Sequence, residues 1–299
     1  MRILIALDAT PSAAAILQEA VARPWPAGSS FALLTVVDPY GFAKAPLLLE
    51  KAKAAARSQL QKAAESLEGA GWKTTTDVIL GNPRRAISGY AAGWEADLLL
   101  VGSHGHGNMA RFFMGSTARA ALRRAPCSVE IVRVGAKEGD GGKDDKMKIL
   151  VATDGSEFSA AALRSVANRP WPKGSEVKVL AVPELVLPLR EFPYFDAAEV
   201  EEFNKAEMEH ARAYAAEGEK ILSGKGLKVS TEVPVLWEMP SQAILNEAEK
   251  WHARMIVLGS HGRRGFDRLT MGSVSETVAL HAACSVEIIR EHSLQSEAT

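Results

Sequence analysis

Between Leu258 and Ser275 the chain reads LGSHGRRGFDRLTMGSVS, which sets glycines, hydroxyls and arginines between an apolar run and a run with helical spacing. The preceding Arg254 to Leu258 has the length and apolarity of a buried parallel strand. Gly272 to Val278 then opens a helix, with Ser273 or Ser275 suited to its first turn. A helix starting there aims unpaired N–H groups and the positive end of its dipole back at the loop, which makes an anion site. The pattern Gly259, Gly262, Gly272, Ser273 recurs as Gly102, Gly105, Gly115, Ser116, each pair 157 residues apart (102 to 259), as are Cys127 and Cys284. A glycine spacing alone is a weak signal, because glycine admits positive φ in any turn. Duplicated in one strand–loop–helix setting, it points to phosphate binding.

The neighbouring residues narrow the chemistry. His104 and His261 follow the first glycine identically and either touch phosphate or ribose or cap their loops. Arg263, Arg264 and Arg268, with Arg111 as the single counterpart in the first copy, either attract phosphates or are solvated. The lysine of G-x4-G-K-[ST] is absent, so the group that reaches the outer phosphates in fast P-loop enzymes is missing. No nucleophile stands beside a base, and no set of His, Cys or carboxylate has zinc-ligand spacing. These residues describe a binding module with no catalytic or metal-ligating set, in which Asp8 or Asp154 holds Mg²⁺ only together with a nucleotide.

The elements that position these loops also come twice. Arg2 to Leu7 ends at Asp8 and Lys148 to Thr153 ends at Asp154, each an apolar first strand. Alanine-rich helices follow, Pro11 to Ala22 and Glu157 to Asn168, and each ends in Arg-Pro-Trp-Pro at 23 to 26 and 169 to 172. That tetrapeptide reads as prolines stopping a helix and Trp covering the sheet edge. Phe31 to Val37 and Glu176 to Val182 are second strands, and Lys73 to Leu80 and Val229 to Leu236 third strands. Second helices run from about Leu47 to Leu67 and about Asp196 to Leu222, the latter after an insertion, Leu185 to Phe195, whose Phe192, Tyr194 and Phe195 read as a packed surface loop. Pro83 and Pro240 start third helices at the position where a missing N–H costs nothing. Asp97 to Val101 and Met255 to Leu258 are fourth strands. Ser128 to Val134 and Ser285 to Arg290 are fifth strands. Gly135 to Lys146 is a polar, glycine-rich linker.

Strand–helix alternation dictates parallel sheets with helices on both faces and ligands beyond the carboxyl ends of the strands. With 299 residues the chain divides into two domains, 1–135 and 147–291. A hydrophobic share of 47% and a net charge of −1 describe a globular chain with no general field for nucleic acid or anionic membrane. The N-terminus carries neither a signal peptide nor a membrane span, and the two cysteines read as core filler, so the expected compartment is the cytoplasm.

The glycine loop after a fourth strand, the aspartate closing strand one and the final Cys-Ser-Val-Glu-Ile run resemble the universal stress protein family in its tandem form. The resemblance covers nearly the whole chain. It implies two Rossmann-like, nucleotide α-hydrolase-like α/β domains, each a five-stranded parallel sheet of order 3-2-1-4-5, and ATP as ligand, with or without Mg²⁺. By position, Asp8 and Asp154 and the backbone of Val37 and Val182 then meet adenine, and Gly102 and Gly259 lie by the ribose. Phosphates rest on Gly105, Gly115 and Ser116 in the first copy and on Gly262, Gly272, Ser273 and Ser275 in the second, with Thr117 and Val274 in the same first turns. Three departures stand out: Ala9 against Gly155 after the aspartate; Thr117-Ala118 against Val274-Ser275, so that the first copy lacks the hydroxyl of Ser275; and Gly81 against Glu238, a carboxylate that repels phosphate if it faces the loop.

The function implied is an ATP-binding stress-response regulator with slow hydrolysis at most. The alternatives are a nucleotide-independent scaffold and, last, an adenylating enzyme. The fifth strands are apolar, β-branched sheet edges, so the two copies are expected to pair through them as a pseudo-dimer; a homodimer is compatible with this but not required.

Overall fold

The computed structural model describes residues 1–103, 114–133, 146–185, 197–235, 238–263 and 271–290. In the first half the order is β1 (Arg2–Ala6), α1 (Pro11–Ala22), β2 (Ser30–Val37), α2 (Pro46–Gly69), β3 (Lys73–Leu80), α3 (Pro83–Gly93), β4 (Leu98–Gly102), α4 (Ser116–Arg124) and β5 (Ser128–Val132). The second half repeats it as β6 (Lys148–Thr153), α5 (Glu157–Asn168), β7 (Glu176–Ala181), α6 (Ala197–Leu222), β8 (Lys228–Glu232), α7 (Pro240–Lys250), β9 (Met255–Gly259), α8 (Ser273–His281) and β10 (Ser285–Ile289). Most boundaries fall within a residue or two of those expected. The third strand of the second half is shorter, closing at Glu232, and most of the aromatic insertion lies outside the described residues.

Each half has the order 3-2-1-4-5, and the halves join into one ten-stranded sheet, β3-β2-β1-β4-β5-β10-β9-β6-β7-β8. The join is an antiparallel pair of β5 with β10, with Ile131 opposite Val286, Glu130 opposite Glu287 and Val129 opposite Ile288. An apolar edge strand leaves a row of unpaired amides and carbonyls, and here each edge supplies the other's partners. On one face Val129, Ile131, Val286 and Ile288 merge both halves into a single core beneath α3, α4, α7 and α8. On the other face the cores stay separate, one under α1 and α2, the other under α5 and α6.

The period of two along a strand sends Glu130 and Glu287 to that second face, into the gap between the separate cores. Both are buried, at 0% and 1% exposure, and lie directly opposite one another. The repeated tetrapeptide answers them. Arg23 donates Nη1 and Nη2 to the two carboxylate oxygens of Glu130 at 2.8 and 2.7 Å, and Arg169 donates to Glu287 at 2.9 Å. Each guanidinium lies over the tryptophan two residues on, and Arg23 also faces Trp171 of the other half. The prolines do stop the helices, and the indole N–H groups return to Ala20 O and Val166 O at 2.8 Å. The arginine is the part of the motif that the sequence reading overlooked.

Two further arginines cross the seam reciprocally. Arg133 donates to Ala279 O and Leu280 O at the end of α8, and Arg290 to Leu122 O at the end of α4. Both satisfy carbonyls that a helix C-terminus leaves unpaired. Cys127 and Cys284 are free and buried, and burial pushes both thiols up to about 12.

Candidate functional site

The glycine loop of the second half is described up to Arg263 and again from Met271. At the end of β6, Asp154 Oδ1 accepts from the amide of Ser156 at 3.1 Å and from its hydroxyl at 2.6 Å. Ser156 in turn caps α5, accepting from Ser159 N at 3.2 Å. Asp154 Oδ2 accepts from the amide of Arg263 at 2.8 Å. One carboxylate thus ties the end of the first strand of this half to the glycine loop after β9.

The three glycines are small for three different reasons. A Cβ on Gly259 would lie 2.6 Å from the carbonyl carbon and oxygen of Phe158, so this glycine lets the first turn of α5 press against the strand end. A Cβ on Gly262 would lie 2.6 Å from Asp154 Oδ2. On Gly272 it would lie 3.2 Å from Ser260 O and 3.3 Å from His261 Cα, which brings the start of α8 against the loop backbone. Gly272 N donates to Ser260 O at 2.9 Å, and Ser260 N to Ile289 O at 3.0 Å, locking helix, loop and last strand together. Gly272 caps α8 without a side chain, so the cap gives the first-turn amides no side-chain acceptor.

Of the expected contact residues, Ser273 is exposed at that helix start and Val274 is half-buried against the shared core. Ser275 is turned inward: its hydroxyl donates to Gly259 O at 2.7 Å. His261 is buried as well, tilted on Phe158 with ring centroids 5.0 Å apart and Nδ1 3.0 Å from Ser260 Oγ. A serine hydroxyl therefore does lie beside an imidazole, contrary to the expectation from sequence, and both side chains are buried. The carboxylate of Glu238 accepts from Asn246 on α7 at 2.9 Å.

The first half matches where it is described. Asp8 Oδ1 accepts from the amide of Thr10 at 3.0 Å and from the Thr10 hydroxyl. Gly115 N donates to Ser103 O at 2.8 Å and Ser103 N to Val132 O at 3.0 Å, the same closure as in the second half. Gly102 ends β4, Ser116 is exposed at the start of α4, and Thr117 is half-buried. His104, Gly105 and Arg111, like Arg264 and Arg268, lie outside the described residues.

The pairing of Val37 with Val182 needs one correction. Ala6 pairs with Leu34 and Ala152 with Leu180, so the register equates Val182 with Val36 and Val37 with Pro183. Val36 and Val182 both pack on the shared core, whereas a slip of one residue reverses the face. The carbonyl of Val37 accepts from Gly81 N at 3.1 Å.

Around Gly155 and Arg263 stand three side chains that the sequence did not single out, Tyr214, Glu207 and His210. Gly155, at φ +77°, lies beneath Tyr214 of α6, whose ring atoms come within 2.3 to 2.6 Å of where a Cβ would stand. The guanidinium of Arg263 sits 5.8 Å from the centre of that ring and donates to Glu207 at 3.3 Å. His210 stacks on Tyr214 at 6.2 Å. Burial opposes the charge on Arg263, but the hydrogen bond and charge of Glu207 more than compensate and its pKa is raised. Among the described residues no group of three or more His, Cys, Asp or Glu is placed to hold a metal, and no helix is long and apolar enough to cross a membrane.

A model of the universal stress protein family matches the chain twice, over residues 1–133 and 147–290. A universal stress protein of Mycobacterium tuberculosis is 29% identical over 199 residues, which cover 63% of this chain and 60% of that relative. One from Mycolicibacterium smegmatis is 27% identical over 199 residues, 66% of this chain and 62% of the relative, so the chain spans less than two thirds of both. One from Methanocaldococcus jannaschii is 32% identical over 145 residues, 48% of this chain and 82% of that protein. The crystal structure of a universal stress protein from Archaeoglobus fulgidus superposes with a TM-score of 0.65 at 19% identity, over 97% of this chain and 96% of the other, a likeness of fold.

Proposed function

Because the chain belongs to the universal stress protein family, we propose that it is an ATP-binding regulatory protein of the stress response, with nucleotide held at least in the second half. The observation that carries the reading is the meeting of Asp154, the Gly262–Arg263 loop and the glycine-capped start of α8 in one backbone-locked unit. First-turn amides and the helix dipole suit phosphate. A carboxylate suits the amino group of adenine: it offers about four lone-pair directions, and Asp154 has spent three on Ser156 and Arg263, leaving one. Mg²⁺ enters as the counterion of the phosphates. With no lysine of the P-loop type in the glycine loop, hydrolysis is slow at most. Two buried free thiols suit a reducing compartment, and we assign the protein to the cytoplasm.

Chromatography of the heat-denatured protein tests occupancy directly, with ATP, ADP or AMP as the expected release. With the first half disabled by Gly115→Val, Gly272→Val should weaken ATP binding at least tenfold, about 1.4 kcal/mol. Unchanged affinity in a folded Gly272→Val protein rejects the site. The second reading, a scaffold that works without nucleotide, is favoured by the engagement of Arg263 with Glu207. It predicts no released nucleotide and no ATP binding in either half.

A further inference from the structure

The two halves are not equivalent copies of one site, and the difference lies in the helix that crosses it. Lys73 and Lys228 open β3 and β8, 155 residues apart (73 to 228), and the same spacing aligns α2 with α6. It places Gln59 opposite Tyr214, Ala55 opposite His210 and Ala52 opposite Glu207. In the loops, Arg263 aligns with His106, 157 residues earlier (106 to 263). All members of the Glu207, His210, Tyr214 and Arg263 cluster therefore belong to the second half alone. Gly155 completes the set, because only a residue without a Cβ fits under the Tyr214 ring, whereas the first half has Ala9 there and sends Gln59 Nε2 to Asp8 O at 2.7 Å.

We propose that Arg263 is the phosphate-sensing residue of the second half, and that Glu207 and Tyr214 hold it in a clasp which a nucleoside triphosphate must open. This rests on the nucleotide reading above. The amide of Arg263 is fixed to Asp154, and Gly262 N lies 3.9 Å from where a Gly272 Cβ would stand. The root of the Arg263 side chain is therefore beside the start of α8, and its guanidinium, paired with Glu207 and within the field of Glu184, is the group that a phosphate bound at that helix would draw away. It cannot serve Glu207 and a phosphate fully at once. The side chains of Arg263 and Glu207 are 34% and 14% exposed, and a partly solvated pair of this kind is weak enough for a polyphosphate to displace. Opening it also frees α6 from the loop, so occupancy of the second half is transmitted to the position of α6. The residues that form the clasp have no counterparts of the same kind in the first half, which carries Ala52, Ala55, Gln59 and His106 at those positions.

The test is hydrogen exchange on the full-length protein, read in peptides covering 204–214 and 255–275 as ATP is titrated. Glu207→Gln should accelerate exchange in both stretches without ligand and lower the ATP concentration for half-protection of 255–275 about threefold, within the worth of a surface pair. Arg263→Gln should accelerate exchange in the same way but raise that midpoint. Opposite signs from the two ends of one ion pair separate a ligand-sensing residue from a purely structural contact, whose loss moves both variants alike. Wild-type protein should show faster exchange in 204–214 as ATP protects the loop. Unchanged exchange in both variants, or midpoints that shift in one direction, overturns the proposal. So does ATP protection of 255–275 with no response in α6. If ATP does not protect 255–275, the nucleotide reading of the second half fails and ligand sensing with it, while faster exchange in both variants still establishes the clasp.

Discussion

Replacing Arg23 by methionine removes the positive partner from a carboxylate that has no access to water. Glu130 is 0% exposed, accepts both Arg23 nitrogens at 2.7 and 2.8 Å, and faces Glu287 across the β5–β10 pair. Burial already pushes the Glu130 carboxyl above its usual range against the pull of Arg23, and Glu287 pushes it the same way. Without Arg23 it rises further. Breaking a buried pair by removing one partner costs about 3–5 kcal/mol, a large fraction of the roughly 5–15 kcal/mol that keeps a domain folded. At roughly 2–4 °C per kcal/mol for a domain of this size, the melting point should fall by roughly 10 °C at neutral pH. The penalty depends on pH. The folded-state pKa of Glu130 lies above the unfolded value of roughly 4.3, so the stabilisation from holding it protonated is fully present below that value. It is lost as pH rises through the folded-state pKa, at about 1.36 kcal/mol per unit within the window. Arg23→Met should therefore be closest to wild type at about pH 4.5 and furthest from it above neutrality. Adding Glu130→Leu removes the stranded charge and should recover most of the loss, since replacing both members of a buried pair by apolar groups is often neutral. Calorimetric melts of the single and the double variant across pH 4.5–8 read all of this. A folded Arg23→Met protein within about 1 kcal/mol of wild type at every pH would refute the role assigned to the pair.

Gly155→Ala should lower the melting point by several degrees, because its Cβ would enter the Tyr214 ring and φ +77° strains any side chain. Combining it with Tyr214→Gln, which restores the pairing of Ala9 with Gln59, should recover the contact but not the backbone strain. Glu238→Gly should leave ATP affinity unchanged in isothermal titration, since the carboxylate is directed to Asn246; tighter binding would show that it reaches the loop. Arg133→Met with Arg290→Met strips the reciprocal helix caps and should cost about 1–3 kcal/mol for each group of buried carbonyls left unpaired, measured by urea unfolding. An unshifted urea midpoint would mean that water replaces both arginines.

Local features of the chain determined the elements and the halves. The apolar runs, the proline starts at Pro83 and Pro240, and the 157-residue recurrence of the glycines identified strands, helices and the duplication, because propensity, periodicity and repetition all act within short windows. Even the join could be read there, since an apolar, β-branched strand at the end of each 3-2-1-4-5 order is an edge needing a partner. What tertiary structure alone decided is which polar groups face each other. Arg23 and Glu130 are 107 residues apart and look like a helix end and a strand interior; only the antiparallel register that sets Glu130 against Glu287 makes the arginine of the repeated tetrapeptide necessary. The single-residue offset between Val37 and Val182 was legible in the chain, since the 146-residue spacing of Asp8 and Asp154 equates Val182 with Val36, and the strand register gives the same pairing. Ser275 and His261 could be placed at the loop from sequence, but not turned inward, because orientation depends on packing against Gly259 and Phe158. The Ala9 and Gly155 difference was legible in the chain. Its physical reason lies 59 residues further on (155 to 214), in a Tyr214 ring that occupies the space a Cβ would need.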